Sequence, residues 1–494
     1  MDKVPAREVF MVERRGPKRV ILPKLILGEV CNPEDDGATE RVVNLPTGPF
    51  GYFFRPYSAL PRALRDTRTS SFNHASAVVD TDGAPWHEAC AYLTHIINAA
   101  GMPAIGIDNA LSAGSDLAAF MRFLKETKTD FQTFPAFEPA RPTYKYHAYL
   151  VDLAERKVIE HSVARRRMLT VIGMYDWLMK KRLLLPEYPP WEEKTISVGF
   201  ESRTGSFMLK ERRTTDLRIK AVPPNSPYDD HIADGGKLRP LPEWEQEVLL
   251  KTLQYSDNVE ARFLHILMLD TCARTQTAFT LRARHFMEPI EDDIPEVGIP
   301  AGPGTSVDTK GSKPATLYVS GWLYRRLCVY ANSPRAEARR RRSKVNPRDP
   351  YLFLTNRGTP YYESVEDRST FDPDEESAVA RQGGGLRQFI HDWMLPRMRQ
   401  QLGSNYRYRA QDLRATGGMN MTTAQLALVE AKVKTLAQAR RYVQARMWHE
   451  HGETTDRYLG FKYLREYFHG MQHQYESHLE TLMKRAADAS EQKE

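Results

Sequence analysis

Five residues in the second half of the chain have side chains that could together break a phosphodiester bond without a metal ion. Such a reaction needs a nucleophile in line with the phosphorus, fixed cations for the non-bridging oxygens and a proton donor for the leaving alkoxide. Arginine suits the clamp because its planar fork binds two oxygens, and lysine suits the donor because cationic neighbours lower its pKa. In chain order the candidates are Arg274, Lys310, Arg414, His449 and Tyr458.

The order and spacing of these residues support the prediction, because each residue type alone more often has a structural role. Arg274 follows the apolar run ARFLHILMLDTCA. Lys310 lies in DTKGSKPATLYV, between two strand-like runs that predict a hairpin. Arg414 begins a predicted helix in YRAQDLRATGGM, and Tyr458 follows His449 by nine residues in MWHEHGETTDRYLGF.

Taken together, these motifs resemble those of the tyrosine recombinase (phage integrase) family, of which the chain looks like a divergent member. TCARTQTAFTLRARHF is similar to the family's first-arginine motif, and TKGSKPATLYV is similar to its lysine hairpin. AQDLRATGG resembles the H-x-L-R box, and MWHEHGETTDRYL resembles L-G-H-x-x-x-x-T-x-x-Y. By motif the resemblance covers residues 238 to about 460.

The resemblance implies a role for each of the five residues. Tyr458 would attack the scissile phosphate and form a 3′-phosphotyrosyl bond. Arg274 and Arg414 would hold the phosphate oxygens, which His449 would also contact. Lys310 would protonate the 5′-hydroxyl leaving group. Because the covalent link keeps the energy of the broken bond, we expect no cofactor, no ATP and no metal site. The implied enzyme is a site-specific DNA recombinase or integrase that moves a mobile genetic element.

Two residues depart from the family pattern, and a third could compensate for one of these departures. Gln411 replaces the histidine of H-x-L-R, and an amide cannot shuttle a proton. Thr277 replaces the acidic residue that usually follows the first arginine by three positions, so Arg274 loses its usual carboxylate brace. His451 is a candidate substitute proton carrier, although a surface position is the simpler interpretation. These departures keep a non-cutting DNA-binding member of the family open, and a type IB topoisomerase-like enzyme is a third, lower-ranked alternative.

Composition favours a polyanionic partner. The 494 residues carry a net charge of +7 and a pI of about 9.0, which points first to nucleic acid and second to an anionic membrane. No apolar run has the length of a membrane span and the start has no signal-peptide core, so we expect a cytoplasmic, nucleoid-associated bacterial protein. The four cysteines are far apart and suggest neither a zinc site nor a disulfide framework.

The predicted fold is mainly α with a small antiparallel β-sheet in the catalytic domain (α+β), which the resemblance extends to a multidomain C-shaped DNA clamp. The Pro- and Gly-rich stretch NPEDDGATERVVNLPTGPFGYFFRPYSALP is predicted to be irregular. The expected segments are residues 1–107 (accessory DNA binding or bracing), 108–192 (helical core-binding domain), 193–237 (linker or insertion with short strands), 238–460 (catalytic domain) and 461–494 (helical tail that packs on its own domain or docks on a neighbouring subunit).

Basic side chains outside the catalytic set are candidates for DNA backbone contact. A solvated basic face is the alternative interpretation, and for PRAEARRRRSK the alternatives are a disordered loop or a solvated helix. The expected partners are double-stranded DNA at specific recombination sites and further copies of the chain, a dimer on each site and a tetramer in the synapse, with accessory proteins and no membrane. The candidate DNA-binding residues are Arg165, Arg166, Arg167, Lys180, Lys181, Arg182 and Lys313.

Overall fold

The computed structural model describes residues 16–45, 48–56, 71–99, 103–201, 207–219, 231–369 and 382–491. Contacts divide the chain into two compact units, Met1–Pro223 with Ser369–Ala380 and Pro224–Arg368 with Arg381–Glu494. The fold is mainly α with antiparallel sheets of two or three strands, which confirms the predicted class. The boundaries of the five predicted segments stay predictions. In the part of the chain described here, no helix is long and apolar enough to cross a bilayer.

Where the structure describes the first unit, it contains three small antiparallel sheets. One pairs β1 with β5, one has the order β2-β4-β3, and one is the hairpin β6–β7. The prediction that the region around β3 and β4 is irregular was wrong, because its valine and aromatic residues favour paired strands, as in Val43 opposite Phe50. The strands are β1 (Lys18–Ile26), β2 (Gly28–Cys31), β3 (Thr39–Leu45), β4 (Gly48–Pro56), β5 (Ser71–Val79), β6 (Glu193–Glu201) and β7 (Phe207–Thr215).

Four α-helices of the described residues pack around an aromatic core in the first unit. They are α1 (His87–Ala99), α2 (Pro103–Glu126), α3 (Pro142–Glu155) and α4 (His161–Lys180). One face of α4 is buried and includes Met168 and Tyr175. The Phe120 ring of α2 lies 4.7 Å from the Tyr146 ring of α3 and 6.1 Å from the Tyr175 ring. This packing leaves the basic residues of α4 on its other faces and at its C-terminal end.

The second unit contains two hairpins and most of the helices. The strands are β8 (Ile232–Ala233), β9 (Lys237–Leu238), β10 (Glu296–Ala301) and β11 (Ala315–Ser320). The hairpin β10–β11 confirms the predicted lysine hairpin, with Lys310 in its connection. The helices are α5 (Glu243–Gln254), α6 (Val259–Thr271), α7 (Thr275–Thr280), α8 (Gly321–Ala331), α9 (Pro334–Arg342), α10 (Val365–Ser369), α11 (Gly384–Phe389), α12 (Leu395–Leu402), α13 (Asp412–Glu430), α14 (Leu436–Met447) and α15 (Gly452–Glu491).

The arginine-rich helix α9 braces the second unit. The carboxylate of Glu260 in α6 is fully buried. It accepts hydrogen bonds from Arg335 Nε at 2.9 Å and from the Tyr330 hydroxyl at 2.9 Å, and Arg339 pairs with it at 3.1 Å. Buried carboxylates are stable only when charge partners and hydrogen bonds compensate them. At least two arginines of α9 therefore have a structural role that the sequence did not predict.

Candidate active site

Arg274 is placed by a sharp turn at the end of α6. Cys272 ends this helix with a left-handed backbone, φ 54°, which lets the chain reverse within two residues. Arg274 then precedes the first residue of α7 in an extended conformation, φ −70° and ψ 151°. Cys272 is also buried against the N-terminal part of α13. The first-arginine motif thus lies beside the helix that carries the second arginine.

The other candidates come from three consecutive helices. Arg414 lies in the first turn of α13. Trp448 ends α14 in a left-handed conformation, φ 55°, and His449 follows it directly. Tyr458 lies in the second turn of α15. All three residues lie at or near the end of a helix. Their polar side chains can therefore meet while the rest of each helix stays packed.

Four of the five predicted side chains meet at a single carboxylate, that of Asp234 in the turn between β8 and β9. Arg414 Nε lies 2.7 Å and the Tyr458 hydroxyl 3.2 Å from Asp234 Oδ2. His449 Nε2 lies 3.4 Å from the same oxygen. Arg274 Nη2 lies 3.1 Å from Asp234 Oδ1. Residues as far apart in the chain as Arg274 and Tyr458 therefore surround one anionic group.

The Arg414 guanidinium is fixed on all sides. Its Nη1 donates to the Cys272 carbonyl at 2.5 Å, and its Nη2 donates to the Met447 carbonyl at 2.8 Å. Only 1% of the side chain is exposed, against 21% for Arg274. A buried guanidinium held by two backbone carbonyls is preorganised for an anion, because it loses no side-chain freedom on binding.

Burial and the carboxylate set the protonation states of the site. Burial lowers the pKa of His449, and the ring pattern fits a neutral imidazole whose Nδ1 accepts from the Thr455 hydroxyl at 2.9 Å. Burial and then the charge of Asp234 raise the pKa of Tyr458 well above its ordinary value. Burial would raise the pKa of Asp234, but the His449 hydrogen bond and the charge of Arg414 outweigh it and lower that pKa.

Lys310 reaches the same turn from the opposite hairpin. Its side chain is exposed, and its Nζ lies 3.0 Å from the point where a Cβ atom on Gly235 would stand. Gly235 directly follows Asp234, and its φ is +70°. Four of the predicted catalytic side chains thus contact the Asp234 carboxylate, and the fifth, Lys310, lies beside the glycine that follows it.

The supporting candidates take different positions. The Gln411 side-chain oxygen accepts hydrogen bonds from the backbone amide and the hydroxyl of Thr275, at 3.3 and 2.9 Å. It therefore braces the start of α7 beside Arg274. Thr277 is buried in α7, and His451 is exposed. In the structure Arg274 contacts no carboxylate at position 277 and instead contacts that of Asp234, from another part of the chain.

The candidate DNA-binding residues are divided between ion pairs and exposed ends. Arg166 holds the buried Asp116 carboxylate with hydrogen bonds of 2.9 and 3.0 Å. Lys180 pairs with Asp176 at 2.7 Å. Lys313 pairs with Glu450 at 2.5 Å. Arg165 and Arg167 are half-buried, and Lys181 and Arg182 are exposed just beyond the end of α4. Contact of these residues with DNA stays a prediction.

Within the described ranges, no group of three or more histidine, cysteine, aspartate or glutamate side chains is arranged to hold a metal ion. The site has one carboxylate and one imidazole, surrounded by two guanidinium groups. Cations of this kind repel a metal ion and attract an oxyanion. The donor set therefore suits a phosphate, sulfate or carboxylate group.

No protein-family model and no curated protein matches the chain. Among solved structures it is similar to the XerH site-specific recombinase bound to palindromic difH substrate, with 12% identity, a TM-score of 0.42, and coverage of 76% of this chain and 86% of that one. It is also similar to the Tn1549 transposon integrase in complex with circular intermediate DNA, with 11% identity, a TM-score of 0.39, and coverage of 75% and 94%. Both are recombinases or integrases, the class that the motifs predict. Likenesses of this size do not carry a functional argument, which must come from the site.

Proposed function

We propose that this chain is a tyrosine site-specific DNA recombinase or integrase that cuts and rejoins strands through a 3′-phosphotyrosyl intermediate. One observation carries the proposal: two guanidinium groups, an imidazole and a phenol all contact the same anion position. An oxyanion held there would have its charge stabilised by Arg274 and Arg414, with a nucleophile in hydrogen-bonding range of it.

The chemistry follows from the position of each group. The Tyr458 oxygen would attack the phosphorus of a phosphodiester bound between Arg274 and Arg414, and the bond to the 5′ oxygen would break. Lys310, whose Nζ lies beside Gly235 next to Asp234, would give a proton to the departing 5′ oxygen. The phosphate stays esterified to Tyr458 until a 5′-hydroxyl of another strand reverses the attack, so strands are exchanged without ATP.

The proposed substrate is double-stranded DNA, and the proposed biological role is the movement of a mobile genetic element. The net charge of +7 favours a polyanion, and exposed basic residues beyond the end of α4 could contact its backbone. Strand exchange between two duplexes requires four nucleophiles, which implies a tetramer in the synapse. In this scheme residues 108–192 are the core-binding domain and residues 238–460 are the catalytic domain.

The experiment is covalent trapping. The protein is incubated with a pool of nicked duplexes that have randomised arms, and detergent-stable protein–DNA adducts are isolated and sequenced. We expect wild-type protein and the control Tyr255→Phe, which alters an exposed tyrosine of the same unit, to form adducts. Tyr458→Phe should bind DNA and form none. Adducts that persist in Tyr458→Phe would show that another residue is the nucleophile.

A DNA-binding member of the family that does not cut is the second candidate. The replacement of the usual histidine by Gln411 favours it, because the amide already accepts two hydrogen bonds from Thr275 and has no proton to relay. Tight DNA binding with no adduct from the wild-type protein on any member of the pool would support this alternative.

A further inference from the structure

We propose that Asp234 is an internal mimic of the scissile phosphate, and that the β8–β9 hairpin is a plug that closes the active site until DNA displaces it. The inference rests on the proposed function and adds a regulatory step to it. The motifs assign no role to this residue.

The first argument is that the carboxylate occupies the anion position. Its two oxygens divide the surrounding polar groups between them, with the Arg274 guanidinium on Oδ1 and the Arg414 guanidinium and the His449 imidazole on Oδ2. Two non-bridging phosphate oxygens would need the same donors. Because both anions compete for one set of donors, they cannot be bound together.

The second argument concerns the nucleophile. The Tyr458 side chain is fully buried, and its hydroxyl donates to Asp234 Oδ2. Two residues of the hairpin, Ile232 and Leu238, are buried in the same apolar cluster as Tyr458. A duplex phosphate cannot reach a phenol in this position, so the hairpin must move before any attack. A carboxylate that only oriented the arginines would not need to accept a hydrogen bond from the nucleophile as well.

The third argument is that the β8–β9 hairpin is small enough to be displaced from the anion position. Its strands have two residues each, paired as Ile232 with Leu238 and Ala233 with Lys237, and such short ribbons have little stability of their own. A few further contacts hold it, among them the hydrogen bond from Arg457 to the Ala233 carbonyl at 2.8 Å.

The direct test measures an inorganic phosphate ion in place of DNA. Equilibrium dialysis with radiolabelled phosphate compares the wild-type protein with Asp234→Asn. We expect binding tighter by about tenfold or more in the variant, because an internal competitor no longer occupies the site. Asp292→Asn is the matched control, since it removes the same charge from a fully exposed side chain of the same unit. Adding Arg274→Gln to Asp234→Asn should abolish the gain.

The opposite result would overturn the proposal. If Asp234 only braced the arginines, Asp234→Asn would bind phosphate equally or more weakly than the wild type. Covalent trapping on the nicked duplex pool distinguishes the same two roles. Asp234→Asn should speed adduct formation if Asp234 blocks the site, and it should slow adduct formation if Asp234 only braces the arginines. Absence of adducts from every protein would contradict the proposed function alone, since the phosphate measurement does not depend on cleavage.

A measurement on the unmodified chain covers the case in which Asp234→Asn does not fold. Hydrogen exchange of residues 231–238 is followed by mass spectrometry with and without saturating inorganic phosphate. We expect faster exchange with phosphate, because the displaced hairpin loses its pairing and its buried contacts. Unchanged or slower exchange would contradict displacement.

Discussion

Neutralising Asp234 should make the second unit less stable even though it frees the active site. The Asp234 and Arg414 side chains are 3% and 1% exposed, so their 2.7 Å contact is a buried ion pair. Removing one partner of such a pair typically costs about 3–5 kcal/mol, because the other charge stays buried without compensation. The pair with Arg274 adds less, since that guanidinium is 21% exposed and screened by solvent.

We therefore expect Asp234→Asn to lower the free energy of unfolding by about 3 kcal/mol, with the lower end of the range chosen because asparagine keeps a hydrogen-bond acceptor. For a unit of this size, about 2–4 °C of Tm accompanies each kcal/mol, which gives a decrease of roughly 6–12 °C. Differential scanning calorimetry of the full chain at pH 7 measures it. Asp292→Asn, the exposed control, should melt within about 1 °C of the wild type.

The pH dependence has a definite sign. The pKa of Asp234 is lower in the folded state than in the unfolded chain, so its contribution is present above the unfolded pKa of about 4 and is lost as the pH falls below it. The Tm difference between wild type and Asp234→Asn should accordingly shrink below about pH 4. A variant that melts at or above the wild-type temperature at pH 7 would refute the idea that this carboxylate holds the two arginines together.

Two further variants test other parts of the second unit. Glu260→Gln should lower the free energy of unfolding by about 3 kcal/mol, because it removes the buried charge that braces α9, whereas Glu337→Gln, in an exposed pair on the same helix, should change it by less than about 0.5 kcal/mol. Equal effects in urea unfolding would contradict the bracing role. Gln411→Ala should slow adduct formation about tenfold while DNA affinity is retained, because the two hydrogen bonds to Thr275 that position the start of α7 beside Arg274 are lost. An unchanged rate would show that Gln411 does not position that arginine.

The helices and their apolar faces could be predicted from the sequence because helical spacing is a local signal. The buried stripe of α4, for example, needs only the periodicity of its own residues. The ordered set from Arg274 to Tyr458 was also accessible, because each residue lies in a short motif with its own turn or helix. The convergence of four of these side chains on one point follows from the way in which their helices start and end.

Asp234 could not have been found in this way. In the sequence it belongs to IADGGK, where Asp-Gly is a turn signal, and nothing local distinguishes this turn from an ordinary surface loop. Its role depends on partners up to 224 residues away along the chain. The bracing by α9 was missed for a similar reason, since an arginine run has the same appearance whether its partner is solvent, DNA or the buried Glu260.

The helix α15 joins Tyr458 and the end of the described chain in one continuous element. From Tyr458 to Glu491 it runs for 34 residues without a break, about 50 Å at 1.5 Å per residue. No loop separates the two ends, so a movement of the distal turns is transmitted along the helix to the turn that carries the Tyr458 hydroxyl. In the proposed function, a molecule bound to the distal turns of α15 would tilt the helix that carries the Tyr458 hydroxyl, and this would couple assembly to strand cleavage.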